Sequence, residues 1–152
     1  ENVEYPLLQF KELGPKERRE RVARFLDVVK LGKFAHHRPS ELSGGMQKRG
    51  AIARAMALDP RVLFLDELSA GLDPVTSAEL EELVLRLSRS LKITFVVVTH
   101  ELPSIFAIAD RIIMLDKQVK GIVAIGNPVE LRDHSDNPQV RQFFSRQPAP
   151  DI

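Results

Sequence analysis

The sequence of 152 residues contains no cysteine, which excludes a disulfide-bonded scaffold and any metal site built on thiolates. No apolar run comes near the roughly 20 residues that a membrane-spanning helix requires. The longest apolar runs, residues 62–65 and 93–98, have the length of strands. Neither sign of charge dominates, because 22 basic and 21 acidic side chains leave a net charge of +1. The electrostatics therefore do not favour nucleic acid as a partner, and any membrane association is expected to depend on another protein.

What the sequence does contain is typical of a globular domain with a core, at 43% hydrophobic and 28% charged residues. Apolar residues recur at helical spacing in residues 15–29 and 74–91, which predicts amphipathic helices there. The runs at 62–65 and 93–98 show no polar alternation, which is typical of strands buried on both faces of a parallel sheet. Strands alternating with helices predict a doubly wound α/β fold preceded by a helical segment.

Residues 41–74, ELSGGMQKRGAIARAMALDPRVLFLDELSAGLDP, carry most of the polar motifs of the chain. Ser43, Gly44 and Gly45 open a predicted helix. Two adjacent glycines at a helix start leave backbone N–H groups uncovered beside the Ser43 hydroxyl, at the positive end of the helix dipole. This pattern predicts a binding site for an anion.

Two carboxylates follow the first apolar run, and an imidazole follows the second. Asp66 and Glu67 come directly after residues 62–65, and His100 lies just beyond residues 93–98. Because ligands gather beyond the carboxyl ends of parallel strands, these side chains are expected at one edge of the sheet. A carboxylate pair in that place is suited to holding Mg²⁺ through water and to orienting an attacking water.

Each motif alone has a plainer explanation, since an Asp-Glu pair is often a solvated turn and a lone histidine is often a surface residue. Their order along the chain, followed by a predicted helix start at Asp73–Pro74, favours a joint function. In this order the stretch resembles the signature motif, Walker B strand and D-loop of the nucleotide-binding domain of ATP-binding-cassette proteins. The resemblance implies an α/β, P-loop NTPase-like doubly wound fold, with a mainly parallel but incomplete sheet and an N-terminal helical-subdomain segment.

The resemblance also implies an ATPase that uses ATP and Mg²⁺. Asp66 would hold Mg²⁺ through water, Glu67 would polarise the hydrolytic water, and His100 would contact the γ-phosphate. Phosphoryl transfer needs mainly positioning and neutralisation of charge, and carboxylate and imidazole groups can supply both.

The family's active site is shared between two subunits. By the resemblance, Ser43, Gly44 and Gly45 would contact the γ-phosphate of an ATP bound mainly to a second subunit. Asp73 would belong to the loop that couples the two nucleotide sites. These four residues are therefore expected to act on a nucleotide together with a partner copy.

Three segments are expected along the chain. Residues 1–43 would be a helical-subdomain segment, residues 44–126 the carboxy-terminal part of the ATPase α/β core, and residues 127–152 a helical tail. Residues 111–115 and 119–125 predict a closing pair of strands within the second segment.

The sequence lacks the family's phosphate-binding motif GxxxxGK[ST], and its only Gly-Lys pair, Gly32–Lys33, is followed by Phe34. The resemblance therefore implies the carboxy-terminal portion of a longer cassette, and the chain alone is expected neither to bind nor to hydrolyse ATP normally. Apolar strand edges and faces are expected to be exposed, which favours dimerisation, strand exchange or poor solubility. Leu68 stands where the family usually has proline, which is expected to loosen the turn that carries Glu67.

Within the family, residues 42–55 and the tail at residues 137–143 (NPQVRQF) resemble Mla-type ATP-binding subunits. These subunits drive phospholipid movement between bacterial membranes. The resemblance implies a homodimer of ATP-binding subunits that works with transmembrane permease subunits and a lipid- or substrate-binding protein. The expected location is the cytoplasmic face of the bacterial inner membrane.

Amino-acid or methionine importers are the alternative class of transporter. DNA-repair and chromosome-structure ATPases share the signature and the Walker B strand, but they would show long heptad repeats before the signature, where residues 1–40 show one short helix. A non-catalytic regulatory cassette is disfavoured because Glu67 and His100 are both present.

Overall fold

The computed structural model describes residues 1–10 and 12–146 of the chain. Its α-helices are α1 (Pro15–Val28), α2 (Gly44–Met56), α3 (Pro74–Leu91), α4 (Leu102–Ile108), α5 (Pro128–His134) and α6 (Pro138–Ser145). Its strands are β1 (Val62–Asp66), β2 (Thr94–Val98), β3 (Ile112–Asp116) and β4 (Gly121–Gly126). The chain divides into two compact units, the first over Glu1–Val98 and the second from Thr99 onward. The expected segment boundaries after residues 43 and 126 stay a prediction.

The first unit has one hydrophobic core, to which α1, α2, α3 and both strands contribute. α1 begins at Pro15 as predicted, and its apolar stripe buries Phe25, with Val29 just beyond the helix end. α1 packs against α2, whose Ile52 and Met56 are buried. Full burial of a phenylalanine contributes about 1.5–3 kcal/mol, so Phe25 fixes the helical segment firmly to the α/β part.

α3 forms the crossover that lets β1 and β2 pair in parallel. Asp73 is its N-cap and Pro74 its first residue, as the sequence predicts. The buried face of α3 consists of Leu80, Glu81, Leu83, Val84 and Leu87. Asp66 lies opposite Val98 in the register of the two strands, so the carboxyl ends of β1 and β2 lie side by side.

The parallel pair buries only one face, so the expectation of strands buried on both faces is wrong. Successive side chains of a strand point to opposite faces. Leu63 is 4% exposed and belongs to the core, whereas its neighbour Phe64 is 75% exposed. Val96, the partner of Phe64 in β2, is also exposed. The expected exposed apolar face is therefore observed, and association through it stays a prediction.

The second unit contains the predicted closing strands, β3 and β4, paired antiparallel. Asn127 and Asn137 cap α5 and α6, because their side chains accept hydrogen bonds from backbone N–H groups of the first helical turn. The rings of Phe106 and Phe144 have centroids 5.6 Å apart, which ties α4 to α6. Among the helices that the structure describes, none combines the length and the apolar character needed to cross a bilayer.

Candidate functional site

The glycine-led start of α2 has the predicted geometry. Ser43 is the N-cap, and its Oγ accepts a hydrogen bond from the Met46 N–H at 3.3 Å. Gly44 is the first helical residue and is exposed, whereas Gly45 is buried. The first N–H groups of an α-helix have no partner within the helix, so this turn presents donors and a positive dipole end beside the Ser43 hydroxyl.

The two glycines also have a packing role that the sequence did not reveal. A Cβ atom on Gly45 would lie 2.5 Å from Thr76 Cγ2, and one on Gly44 would lie 3.2 Å from Leu72 Cδ2. The first turn of α2 therefore lies directly against Leu72 in the loop before α3 and against Thr76 in the first turn of α3. The structure thus brings Ser43, Gly44 and Gly45 together with the segment that contains Asp73.

The carboxylate pair lies at the carboxyl end of β1, on a turn with unusual backbone geometry. Asp66 is exposed and is the last residue of the strand. Glu67 has φ +48°, in the left-handed region that non-glycine residues rarely occupy and that is found disproportionately at functional sites. Its N–H donates to the Val98 carbonyl at 2.9 Å, and its carbonyl accepts from Lys48 Nζ at 2.8 Å.

Leu68, which follows Glu67, is part of the hydrophobic core. Its side chain is 5% exposed and belongs to the same cluster as Leu63 and Leu80. Side-chain packing therefore constrains the turn at the position where the family usually has a residue of fixed φ. The neighbouring Ser69 is buried as well, so the two residues that follow Glu67 are both anchored in the interior.

Asp73 is engaged as a helix cap. Its Oδ1 accepts hydrogen bonds from the N–H groups of Val75 and Thr76, each at 3.0 Å, and its Oδ2 accepts one from the Thr76 hydroxyl. The Thr76 hydroxyl is the largest cause that lowers the pKa of Asp73 below its ordinary value of 3.8, and the backbone N–H groups add to it. Its expected role in coupling two nucleotide sites stays a prediction.

Acid is expected to weaken this cap. Because the folded pKa of Asp73 lies below 3.8, ionised Asp73 stabilises the fold at neutral pH, and this contribution is lost as the pH falls through the folded pKa. Asp73→Asn keeps a good N-cap but cannot titrate. We expect urea unfolding to show a stability advantage of the wild type over Asp73→Asn near pH 7 that vanishes in acid. An equal difference at both pH values would contradict this.

His100 is exposed and belongs to the second unit, in the short link between β2 and α4. Within that link the Thr99 Oγ1 accepts a hydrogen bond from the Glu101 N–H at 3.1 Å, which shapes the approach to α4. The expected cooperation of His100 with Asp66 and Glu67 stays a prediction.

The carboxylates at the end of β1 could bind Mg²⁺ only if waters and substrate phosphates supplied most of its ligands. Among the residues that the structure describes, no group of three or more His, Cys, Asp or Glu side chains could hold a metal ion. Mg²⁺ characteristically keeps several waters and binds one or two carboxylates together with substrate phosphates. The exposed Asp66 carboxylate is suited to that arrangement.

One residue of this site escaped the sequence analysis. Lys48 lies on α2, and its contact with the Glu67 carbonyl joins groups 19 positions apart. No local motif marks it, because the contact arises only when α2 packs beside the end of β1.

Comparisons with known proteins find sequences similar to this chain. The ABC transporter family model matches residues 1–70. The intermembrane phospholipid transport system ATP-binding protein MlaF of Escherichia coli strain K12 is 42% identical over 145 residues, which are 95% of this chain and 52% of that protein. The methionine import ATP-binding protein MetN 1 of Pseudomonas savastanoi pv. phaseolicola is 36% identical over 143 residues, 94% of this chain and 42% of that protein.

A solved structure is similar as well. CbiO1 from Clostridium perfringens, part of the ABC transporter complex cbiONQ, aligns with a TM-score of 0.79 at 30% identity, over 87% of this chain and 51% of that one. This similarity confirms the predicted α/β fold class. The chain spans about half the length of the curated relatives it matches.

Proposed function

Because this chain belongs to the ABC transporter family, we propose that it is part of an ATP-binding subunit that couples ATP hydrolysis to transport. The observation that carries the proposal is the turn at the end of β1. There Asp66 and Glu67 extend from a backbone fixed by Val98 and Lys48, in the same compact unit as the Ser43-capped start of α2.

Three residues of this chain would each have a separate role in positioning a phosphoryl group. Asp66 would hold Mg²⁺ through water, and the ion, when bound, would neutralise charge on the phosphate oxygens. Glu67 would accept a hydrogen bond from the attacking water and orient it. His100 would contact the γ-phosphate.

The start of α2 would bind a second nucleotide. Ser43 and the first-turn N–H groups of Gly44 and Gly45 would donate hydrogen bonds to the γ-phosphate of an ATP bound mainly to a second copy of the subunit. Asp73, whose partner Thr76 contacts Gly45, would couple the two sites. The expected partners are therefore a second ATP-binding subunit and transmembrane permease subunits, at the cytoplasmic face of the bacterial inner membrane.

Phospholipid, or a related hydrophobic compound, is the cargo we propose. The phospholipid-transport protein MlaF is 42% identical to this chain over 145 residues, whereas the methionine-import protein MetN 1 is 36% identical over 143 residues. A lipid-binding protein would then deliver or receive the cargo. Methionine import is the second candidate, favoured by the similarity to MetN proteins.

The assembled complex tests this proposal. We expect the complete subunit, reconstituted with its permease in vesicles, to move a fluorescent phospholipid in an ATP-dependent manner. The same vesicles should not transport labelled methionine. ATP-driven methionine accumulation would instead establish the second candidate, and failure to hydrolyse ATP would refute both. In the same assay the isolated 152-residue chain is expected to hydrolyse no ATP, because its sequence has no GxxxxGK[ST] motif.

A further inference from the structure

Lys48 connects the two halves of the candidate site within one chain. It lies about one helical turn into α2, whose first residue is Gly44. Its Nζ donates a hydrogen bond of 2.8 Å to the carbonyl oxygen of Glu67, and the pair is partly buried. A hydrogen bond from a charged donor is stronger than one between neutral groups, so this contact constrains the turn more than an ordinary bond would.

Both peptide groups that flank Glu67 are fixed from outside the turn. Its N–H is held by the Val98 carbonyl at the end of β2, and its carbonyl is held by Lys48. A left-handed non-glycine backbone persists only where the surrounding structure determines it strongly. Since the direction of the Glu67 side chain follows from this backbone, loss of the Lys48 contact would leave its carboxylate less well placed.

We propose that Lys48 is a positioning residue for Glu67 and thereby links the start of α2 to the turn that orients the attacking water. The inference rests on the proposed function, in which Glu67 acts on water. Lys48 itself touches neither nucleotide nor water in this scheme and acts through the backbone of Glu67. A displacement of about 1 Å in a catalytic group can cost on the order of 100-fold in rate, so a displaced Glu67 carboxylate would lower turnover measurably.

Two substitutions in the complete subunit test the role. Lys48→Met removes the donor and keeps an apolar stem, whereas Lys48→Arg keeps a cationic donor. We expect Lys48→Met to lower kcat for ATP hydrolysis roughly tenfold or more while KM and the Kd of MgATP stay within about twofold. Lys48→Arg should recover most of the lost turnover. Lys33→Met, at an exposed lysine, is the matched control and should hydrolyse ATP like the wild type.

A double variant separates positioning from general stability. If Lys48 acts only through Glu67, adding Lys48→Met to Glu67→Gln should cause no further loss of turnover, because the effects of coupled residues are not additive. Independent, multiplying losses would overturn the inference. So would a Lys48→Met variant whose lower rate is accompanied by an equal loss of nucleotide binding and a lower Tm.

The failures of the two ideas are distinguishable. Failure of the complete wild-type subunit to hydrolyse ATP would refute the proposed function, and the inference about Lys48 with it. Wild-type turnover in Glu67→Gln would show that another group orients the attacking water, and would overturn the roles of Glu67 and Lys48 alone. Loss of turnover in Glu67→Gln together with wild-type turnover in Lys48→Met would refute only the role of Lys48.

Discussion

Replacing Glu67 by glutamine in the complete ATP-binding subunit is expected to lower the turnover number for ATP hydrolysis by roughly 10²–10⁴-fold. Glutamine has nearly the same shape as glutamate, but its neutral amide is a poor acceptor for the proton of an attacking water. Because the substitution leaves the backbone at Glu67 in place, the affinity for MgATP should remain close to that of the wild type. Steady-state hydrolysis and a direct nucleotide-binding titration measure the two quantities.

Glu17→Gln is the matched control, because Glu17 is an exposed glutamate in the first turn of α1, on a different element. Its turnover should equal that of the wild type. A Glu67→Gln variant that hydrolyses ATP at a normal rate would show that another group orients the water. A variant that loses MgATP binding as well would assign Glu67 to nucleotide binding rather than to catalysis.

Gly45→Ala is expected to destabilise the protein by about 1–3 kcal/mol, the usual cost of adding a methyl group to a packed site. The added Cβ would lie 2.5 Å from Thr76 Cγ2, closer than any relaxed contact between carbon atoms. Alanine otherwise favours a helix over glycine by about 0.5–1 kcal/mol. The collision is the larger effect, so the net change should be a loss, measured as the free energy of unfolding in urea.

Two further variants identify the cause. Thr76→Ser removes the methyl group in conflict and keeps the hydroxyl that donates to Asp73, so it should restore most of the stability in the double variant with Gly45→Ala. Gly50→Ala, in the same helix, would meet only Leu31 Cδ1 at 3.7 Å and should stabilise by about 0.5–1 kcal/mol. A Gly45→Ala protein as stable as the Gly50→Ala protein would contradict the packing argument.

The elements that sequence reasoning located well are those whose signals are local. Pro15 and the Asp73–Pro74 pair start α1 and α3 where a fixed φ and a capping carboxylate predict. The Asp66–Glu67 pair lies at the end of β1, because the strand follows the apolar run at residues 62–65 and ends as that run ends. These features depend on a few neighbouring residues, so the sequence contains all that determines them.

The features that escaped prediction depend on contacts between distant segments. The runs at residues 62–65 and 93–98 carry apolar residues on both faces, and only the packing of the helices reveals that Phe64 is exposed. The reason for glycine at position 45 is the methyl group of Thr76, and the partner of Lys48 is a backbone carbonyl. The spacing of residue types along the chain predicts neither contact.

The short side chain of Thr76 is occupied at both ends, with its hydroxyl on Asp73 and its methyl group against Gly45. A rotation about its Cα–Cβ bond would displace both groups, so this one side chain joins the first turn of α2 to the first turn of α3. An anion bound by the leading amides of α2 is therefore expected to restrain the start of the 18-residue helix α3 as well.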